Sequence, residues 1–202
     1  MKSLSGVLCG LVLAVLPSIS LADTIYTYQG NPFTGVGYTI CCGGSGLPFT
    51  TDDFVSGSFT VSTPLGASRH LSSVKPLAFS FSDGVDTLTS NDSFFNFIFD
   101  VGTDASGAIA NWNIVMESTK IPPPGYYGIV TINAALNGVN LPTDSGLAPT
   151  APVPGVYDVY GINGGDPGTW TVSETTPEPG SIVLFGSGVV GLAVMIKRRL
   201  AA

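Results

Sequence analysis

The side chains that most often carry out chemistry in proteins are scarce in this chain of 202 residues. His70 is the only histidine, so a serine or cysteine hydrolase with an imidazole base would have to use it. The Gly-x-Ser-x-Gly turn that presents a catalytic serine does not occur. One histidine and two adjacent cysteines are also a poor set of zinc ligands. The residue types therefore predict no catalytic site, no metal site and no cofactor, in a protein that is not an enzyme.

The two adjacent cysteines, Cys41 and Cys42, are a candidate disulfide. Neighbouring Cα atoms lie about 3.8 Å apart across a trans peptide, below the roughly 4.4 Å lower limit of ordinary bridges. A bond between the two would be strained, so three interpretations stay open. These are a strained vicinal disulfide, two reduced thiols, and a link between chains. Redox catalysis is disfavoured because the Cys-x-x-Cys spacing is absent.

Aspartate and asparagine residues cluster at positions 83–86, 91–92 and 100–104. Oxygen-rich loops of exported β-proteins can hold calcium, which makes calcium binding one interpretation of these clusters. None of them follows the spaced twelve-residue calcium loop, and tight turns require the same residue types. A purely structural role in turns is the alternative.

Seven aromatic residues are candidates for a sugar-binding face, on which rings would stack against the C–H surface of a pyranose. Packing in the core is the alternative, and we favour it for any given ring, because aromatic side chains supply much of the apolar area of a small domain. The seven are Phe33, Phe49, Tyr126, Tyr127, Tyr157, Tyr160 and Trp170.

The elements that must position these residues are predicted to be short strands. Apolar residues alternate with period two in several segments, and turn residues separate the segments. Asp83-Gly84 predicts a two-residue hairpin turn between strands at about 76–82 and 85–90. Further strands are expected at 126–134, 156–162 and 169–173, whereas the proline-rich segments 122–124 and 141–154 are expected to be surface loops. The alternating sets are Val55, Phe59 and Val61; Leu77, Phe79 and Phe81; Phe95, Phe97, Phe99 and Val101; and Ala110, Trp112, Ile114 and Met116. Seven or more such strands predict an all-β fold, an antiparallel β-sandwich or jelly roll.

The charge of this predicted domain is strongly negative. Residues 23–176 contain three cations against 13 anions, a net charge of −10. Nucleic acid is excluded as a partner because no cationic surface is present to displace phosphate counterions. About 150 residues suffice for one domain with a core.

The N-terminus has the features of a signal peptide. Lys2 supplies the positive charge, Leu4–Leu16 the apolar stretch, and Ser20-Leu21-Ala22 the small residues read by a signal peptidase. We expect cleavage between Ala22 and Asp23. An uncleaved N-terminal anchor is the alternative.

The C-terminus combines a short polar motif, an uncharged apolar stretch and a basic end. The motif is Pro177, Glu178, Pro179 and Gly180, the apolar stretch covers residues 181–196, and the basic end is Lys197, Arg198 and Arg199. Sixteen helical residues span about 24 Å, slightly less than a hydrocarbon core of about 30 Å. We predict one transmembrane helix, with the basic residues as a topology stop that leaves the domain outside the cytoplasm. A core helix of the domain is the alternative.

The C-terminal segment resembles the PEP-CTERM sorting signal of Gram-negative bacteria, which membrane-embedded enzymes called exosortases recognise. The similarity covers the Pro-Glu-Pro motif, the Gly-Ser that follows it, the glycine-containing span and the basic end. Segments 28–33, 55–60, 79–85 and 103–112 are similar to a pattern that recurs in ectodomains of such proteins. The resemblance implies an exosortase-type processing enzyme and the inner membrane, as a transient anchor, as partners. It also implies export, cleavage near the motif, and delivery to the cell surface or an extracellular matrix.

These observations give a signal peptide at 1–22, a β-rich extracytoplasmic domain at 23–173 and a sorting signal at 174–202. The first functional hypothesis is a non-enzymatic structural or interaction protein of the cell surface or extracellular matrix. The second is a carbohydrate-binding module, whose partner would be an extracellular polysaccharide. The third and most distant is a secreted hydrolase.

Overall fold

The computed structural model describes residues 22–38, 48–120, 125–136, 139–140, 142–148, 159–174 and 188. Cys41, Cys42, the Pro-Glu-Pro motif and the basic end lie outside these residues, as do the predicted signal peptide up to residue 21 and nearly all of the predicted membrane span. Among the described residues, no helix is long and apolar enough to cross a membrane. Asp23–Thr175 forms one compact unit. The bounds predicted for the signal peptide and the sorting signal stay predictions.

The described part of this unit forms fourteen strands. They are β1 (Thr24–Gln29), β2 (Gly35–Tyr38), β3 (Ser56–Val61), β4 (Ser72–Ser73), β5 (Ala78–Ser82), β6 (Thr87–Thr89), β7 (Phe94–Thr103), β8 (Ile109–Lys120), β9 (Gly125–Asn133), β10 (Ala135–Leu136), β11 (Val139–Asn140), β12 (Thr143–Ala148), β13 (Val159–Gly164) and β14 (Thr169–Glu174).

The strands form two large antiparallel sheets. The first has the order β14-β1-β3-β5-β6, and the second has the order β2-β13-β12-β9-β8-β7-β4. β10 and β11 form a separate two-stranded ribbon. All strand pairs are antiparallel. The prediction of an all-β antiparallel fold is confirmed.

Aromatic rings from both sheets meet in the core. Phe59 of β3 lies against Phe99 of β7, with ring centroids 5.0 Å apart, and Tyr28 of β1 lies 5.6 Å from Trp112 of β8. All four side chains are at most 3% exposed. Full burial of a large apolar side chain contributes about 1.5–3 kcal/mol, so these contacts hold the two sheets face to face as a sandwich.

The prediction of a surface loop at residues 141–154 was wrong for its first half. β12 lies in this segment and pairs with β9 on one side and β13 on the other. The four prolines of the segment lie at 142, 149, 152 and 154, so the six residues of β12 contain none and can pair on both edges. Asp144, Gly146 and Ala148 alternate inward along the strand. Pro122–Pro124 lies outside the described residues.

The hairpin predicted at Asp83-Gly84 forms, but its turn lies one residue later. The backbone N–H of Asp83 donates to the carbonyl oxygen of Asp86 at 3.2 Å, which makes Gly84 and Val85 the turn residues. Gly84 has φ 92°, a conformation that side chains other than glycine rarely adopt. The Asp83 carboxylate accepts hydrogen bonds from the N–H groups of Val85 and Asp86, and these bonds place Asp83 before the turn instead of inside it.

The strand expected at Phe95, Phe97, Phe99 and Val101 is present as β7, but the three phenylalanines are not equally buried. Phe95 is 54% exposed and Phe97 is 42% exposed, whereas Phe99 is buried. The register between β7 and β8 shifts at 94–96, and an extra residue in a strand inverts the alternation of its side chains. Phe94 therefore packs inward against the core and Phe95 faces solvent.

Burial increases along β5, which explains the exposure of Phe97. Leu77 precedes the strand and is 59% exposed, Phe79 is half-buried and Phe81 is fully buried. The side chains of this face thus lie at the edge of the sandwich near Leu77, here called its open side, and reach the centre at Phe81. Phe97 stacks on Phe79 with centroids 5.4 Å apart, so it lies at the same open side and keeps part of its ring in solvent.

Gly57 in β3 is expected to be essential for close packing. A Cβ atom at this position would overlap the Phe81 ring and the carbonyl oxygen of Ser80. Because overpacking of a filled core costs about 1–3 kcal/mol, Gly57→Ala is expected to lower the free energy of unfolding by that amount. Urea denaturation of the full chain, followed by tryptophan fluorescence, measures the change.

Gly164 provides the matched control. It lies in β13, and a Cβ atom there would meet nothing within 4 Å. Gly164→Ala is expected to change stability by less than about 0.5 kcal/mol. Equal stabilities of the two variants would show that the space beside Gly57 does not limit the packing.

Candidate functional site

A buried polar cluster joins the two sheets. The Tyr28 hydroxyl of β1 donates to the Asp144 carboxylate of β12, with O···O distances of 2.9 and 2.8 Å to the two carboxylate oxygens. The same hydroxyl accepts a hydrogen bond from the backbone N–H of Gly168 at 2.8 Å. Trp112 Nε1 donates to the Thr131 hydroxyl at 2.8 Å, and that hydroxyl is hydrogen-bonded to Asp144. One carboxylate thus connects β1, β8, β9 and β12.

Burial dominates the electrostatics of this cluster. It raises the pKa of Asp144 from 3.8 to about 6, and the hydroxyls of Thr131 and Tyr28 act in the opposite direction by bonding to the charged form. Burial and the nearby Asp144 charge also hold the pKa of Tyr28 above its usual range. All the side chains are at most 3% exposed, so no substrate can reach them. The cluster is suited to joining the sheets and not to catalysis.

Asp83 is a second buried carboxylate on the inner side of β12. Its side chain is fully buried, and it faces Gly146, where a Cβ atom would come within 2.6 Å of the Asp83 carboxylate. One oxygen accepts the two turn hydrogen bonds, while the other has no hydrogen-bond partner among the described residues. Burial raises the pKa of Asp83 from 3.8 to about 6. Both carboxyl groups therefore favour the protonated state below about pH 6.

Two other aspartates of the predicted clusters, Asp92 and Asp104, act within turns. Asp92 accepts from the N–H and hydroxyl of Thr89, and Asp104 accepts from the N–H and hydroxyl of Ser106. The hydrogen bonds from Ser106 lower the pKa of Asp104. Within the described ranges, no group of three or more histidine, cysteine or acidic side chains is arranged to hold a metal ion. The hydrogen bonds of Asp83, Asp92 and Asp104 are those that the structural interpretation requires.

Most of the predicted sugar-face aromatics lie in the core. Phe33, Phe49 and Tyr127 are buried, whereas Tyr160 and Trp170 are half-buried. The side chain of Tyr126 and all of Tyr157 lie outside the described residues. The five described rings do not form an exposed platform. Among the described residues, the exposed aromatic rings are those of Phe95 and Phe97, which were not among the seven candidates.

His70 lies on an exposed loop between β3 and β4. Its backbone carbonyl oxygen accepts from the Ser72 hydroxyl at 3.0 Å, but no hydrogen bond of its imidazole occurs within the described residues. No described serine therefore has the hydrogen bond to His70 that a triad would use.

The first and last strands of the domain are neighbours in the first sheet. β1 pairs with the edge strand β14, and Thr24 lies opposite Glu174. Ala22 and Asp23, the predicted cleavage residues, directly precede this pair and lie within the described residues. Trp170 holds β14 on the core, because its ring packs 4.9 Å from that of Tyr28 and 5.9 Å from that of Trp112.

The sequence reasoning missed the Tyr28–Asp144 pair. The two residues are 116 positions apart, and the prolines near Asp144 predict a loop at this position. The proline-free alternation of Asp144, Gly146 and Ala148 was the available signal for a strand. Nothing in the sequence indicates which tyrosine would face the carboxylate.

A comparison with protein-family models identifies the segment that follows β14. The model described as the PEP-CTERM protein-sorting motif matches residues 175–199. No curated protein and no solved structure shows significant similarity to the chain. The predicted resemblance to PEP-CTERM proteins is confirmed for this segment, and the motif implies an exported protein that is targeted to an exosortase and anchored in the membrane before processing.

The buried carboxyl groups make stability pH-dependent. An acid whose pKa is higher in the folded than in the unfolded chain binds its proton more tightly when the chain is folded. Its contribution to the free energy of unfolding is therefore full below about pH 4 and is lost as the pH rises through 6. For Asp83 and Asp144 we expect each contribution to fall by roughly 1–1.5 kcal/mol between pH 5 and pH 7.5. Asp144→Asn is expected to remove the part of this pH dependence that comes from Asp144. Urea unfolding at the two pH values gives the comparison.

Asp52→Asn is the matched control, because Asp52 is exposed and the substitution removes the same charge. This variant is expected to retain the slope of the unsubstituted chain. An equally steep slope in Asp144→Asn would show that Asp144 does not titrate in this range.

Proposed function

We propose that this chain, which carries a PEP-CTERM sorting motif, is a non-enzymatic protein of the cell surface or extracellular matrix. In this proposal the antiparallel β-domain performs the structural or interaction role. The C-terminal segment anchors the domain in the inner membrane until an exosortase-type enzyme removes it.

The observation that carries the proposal is the position of the motif directly after the last strand. β14 ends at Glu174, and the matched segment begins at residue 175. Only Thr175 and Thr176 separate the folded edge from Pro177. A processing enzyme that acts at the motif would leave the domain intact, with almost no additional chain.

The prolines of the motif give a physical reason for this arrangement. Proline has a fixed φ and no N–H donor, so Pro177 and Pro179 cannot donate hydrogen bonds to a strand ladder and would kink or break a helix in its interior. The residue before each proline is also restricted to extended conformations. These constraints favour an extended chain that a protease can bind.

The properties of the domain support a role in contact with solvent and other surface components. Its net charge of −10 favours solubility and disfavours binding to polyanions such as nucleic acid. Its buried polar cluster is closed to substrates, and no catalytic pair joins His70 to another described side chain. These features are consistent with an exported scaffold.

A hydrolase with an imidazole base would depend on His70, and this hypothesis can be tested separately. We expect His70→Ala to leave surface delivery unchanged and to have no effect on any hydrolytic rate measured with the purified chain. A purified hydrolytic activity that this variant abolishes would replace the proposed non-enzymatic role.

The sorting proposal predicts a dependence on Glu178. In a Gram-negative host that contains an exosortase, mass spectrometry of protein from the membrane and the medium is expected to show loss of Lys197–Arg199 from the mature chain. Glu178→Gln is expected to reduce this processing and to leave full-length chain in the membrane fraction.

Glu174→Gln is the matched control, because Glu174 is the exposed last residue of β14 and lies outside the matched segment. Its processing is expected to equal that of the unsubstituted chain. Recovery of the mature surface protein with Arg199 still attached would contradict removal of the anchor and would indicate a permanently tail-anchored protein.

A further inference from the structure

A groove of about 250 Å³ lies between the end of β3 and the segment that joins β4 to β5. Its lining combines two cationic side chains with hydroxyl groups and apolar surface. The residues that matter here are Arg69, Lys75, Thr63, Ser73, Leu65 and Leu77.

The charge at this groove is opposite to that of the domain. Residues 23–176 contain three cations, and both of those whose side chains are described, Arg69 and Lys75, line the groove. Lys75 is exposed and has no ion pair or hydrogen bond to another described side chain. In a domain of net charge −10, this is a local site at which an anionic group would be stabilised.

Arg69 is held in place by backbone carbonyl groups. Its Nε donates to the carbonyl oxygen of Val101 at 3.3 Å, and its Nη2 donates to that of Ser73 at 2.9 Å. These bonds use two of the five N–H donors of a guanidinium and fix its plane. The remaining donors have no partner among the described residues, and a fixed guanidinium loses little freedom when it binds a carboxylate.

The loop that carries Arg69 is fixed at both ends. Near its start, the N–H of Leu65 donates to the Tyr26 hydroxyl at 3.0 Å. Near its end, the N–H of Arg69 donates to the Thr103 hydroxyl at 3.0 Å, and that hydroxyl donates to the carbonyl oxygen of Gly66. Ser68 has φ 54° and is held by a bond from its N–H to Asp104. The groove wall is thus largely formed before a ligand binds.

We propose that this groove binds a carboxylated sugar, such as a uronic acid unit, and that the side chains of Arg69 and Lys75 contact its carboxylate. Ser73 and Thr63 provide hydroxyl groups for the ring hydroxyls, and Leu65 and Leu77 provide an apolar surface for the C–H face. The volume is below the range of about 300–1,000 Å³ for drug-sized ligands, and suits a single sugar residue. The inference concerns the domain alone and does not depend on the sorting motif.

The overall charge favours a ligand with few negative groups. A long polyanion would extend beyond the groove onto a surface of net charge −10 and be repelled there. A single carboxylate contacts the two cations without that cost. The same chemistry is present in a free sugar acid and in a unit of a polymer, and the experiment below separates these two sources.

The test is titration of the full chain in detergent with D-glucuronate, D-glucose and a polyuronate, followed by calorimetry. We expect D-glucuronate to bind, D-glucose to bind at least tenfold more weakly, and added NaCl to weaken glucuronate binding. Binding of D-glucuronate without the polyuronate indicates a free or terminal unit, and binding of both indicates internal units. Absence of glucuronate binding, or equal affinity for D-glucose, would overturn the proposal.

Lys75→Gln and Lys120→Gln form a matched pair. Each removes one positive charge from the domain. Lys75 lines the groove, whereas Lys120 is the last residue of β8, a strand that contributes no described residue to the groove lining. Lys75→Gln is expected to weaken glucuronate binding about fivefold, and Lys120→Gln less than twofold. Because Lys75 is exposed, its replacement is expected to leave the urea midpoint unchanged. Equal affinities of the two variants would contradict a role of the groove, whereas the processing of residues 175–199 would be unaffected by either result.

Discussion

The hydrogen bond between Tyr28 and Asp144 places the strictest constraint on this sandwich. Both groups are almost fully buried, and the partners of the carboxylate are hydroxyl groups carried by the opposite sheet and by the adjacent strand. A buried polar group that loses its partner costs about 1–3 kcal/mol, so the cluster tolerates little displacement. A slip of one residue in β1 or β12 would turn Tyr28 or Asp144 away from the interior. The aromatic rings supply most of the attraction between the sheets, while this contact specifies their register.

The parts of the fold that follow from local patterns were predicted, and those that depend on distant partners were not. The alternation around Phe59 and Phe81 gave strands, and the sorting motif is a contiguous segment that needs no folded context. The segment of β12 resembles a loop in sequence because prolines at 142 and 149 flank it directly, although the strand itself contains none. The bulge in β7 inverts the side chains at 94–96 without any glycine or proline to mark it. The pairing of Tyr28 with Asp144 depends on the arrangement of the sheets, which local periodicity does not determine.

The packing between the sheets also determines which apolar groups remain at the surface. The interior uses most of the aromatic rings, and the rings that remain partly exposed lie where the face of β5 reaches the open side of the sandwich. Leu77 belongs both to this face and to the groove that contains Arg69 and Lys75. The bonds of Thr103 and Tyr26 to the intervening loop connect the groove wall to the two sheets. The shape of the groove therefore depends on the same packing that stabilises the core.

The pairing of β1 with β14 has a consequence for the order in which the protein can fold. The first strand of the domain finds its outer neighbour only in the last strand, and Trp170, which contacts Tyr28 and Trp112, arrives with that neighbour. If the chain is exported from its N-terminus, as the predicted signal peptide implies, β1 keeps an unpaired edge until residue 174 has crossed the membrane. The domain would then complete its core only after all of its own sequence has been exported. In the proposed sorting, that moment coincides with the arrival of the motif at the membrane, so that folding of the domain is complete when its anchor becomes available for cleavage.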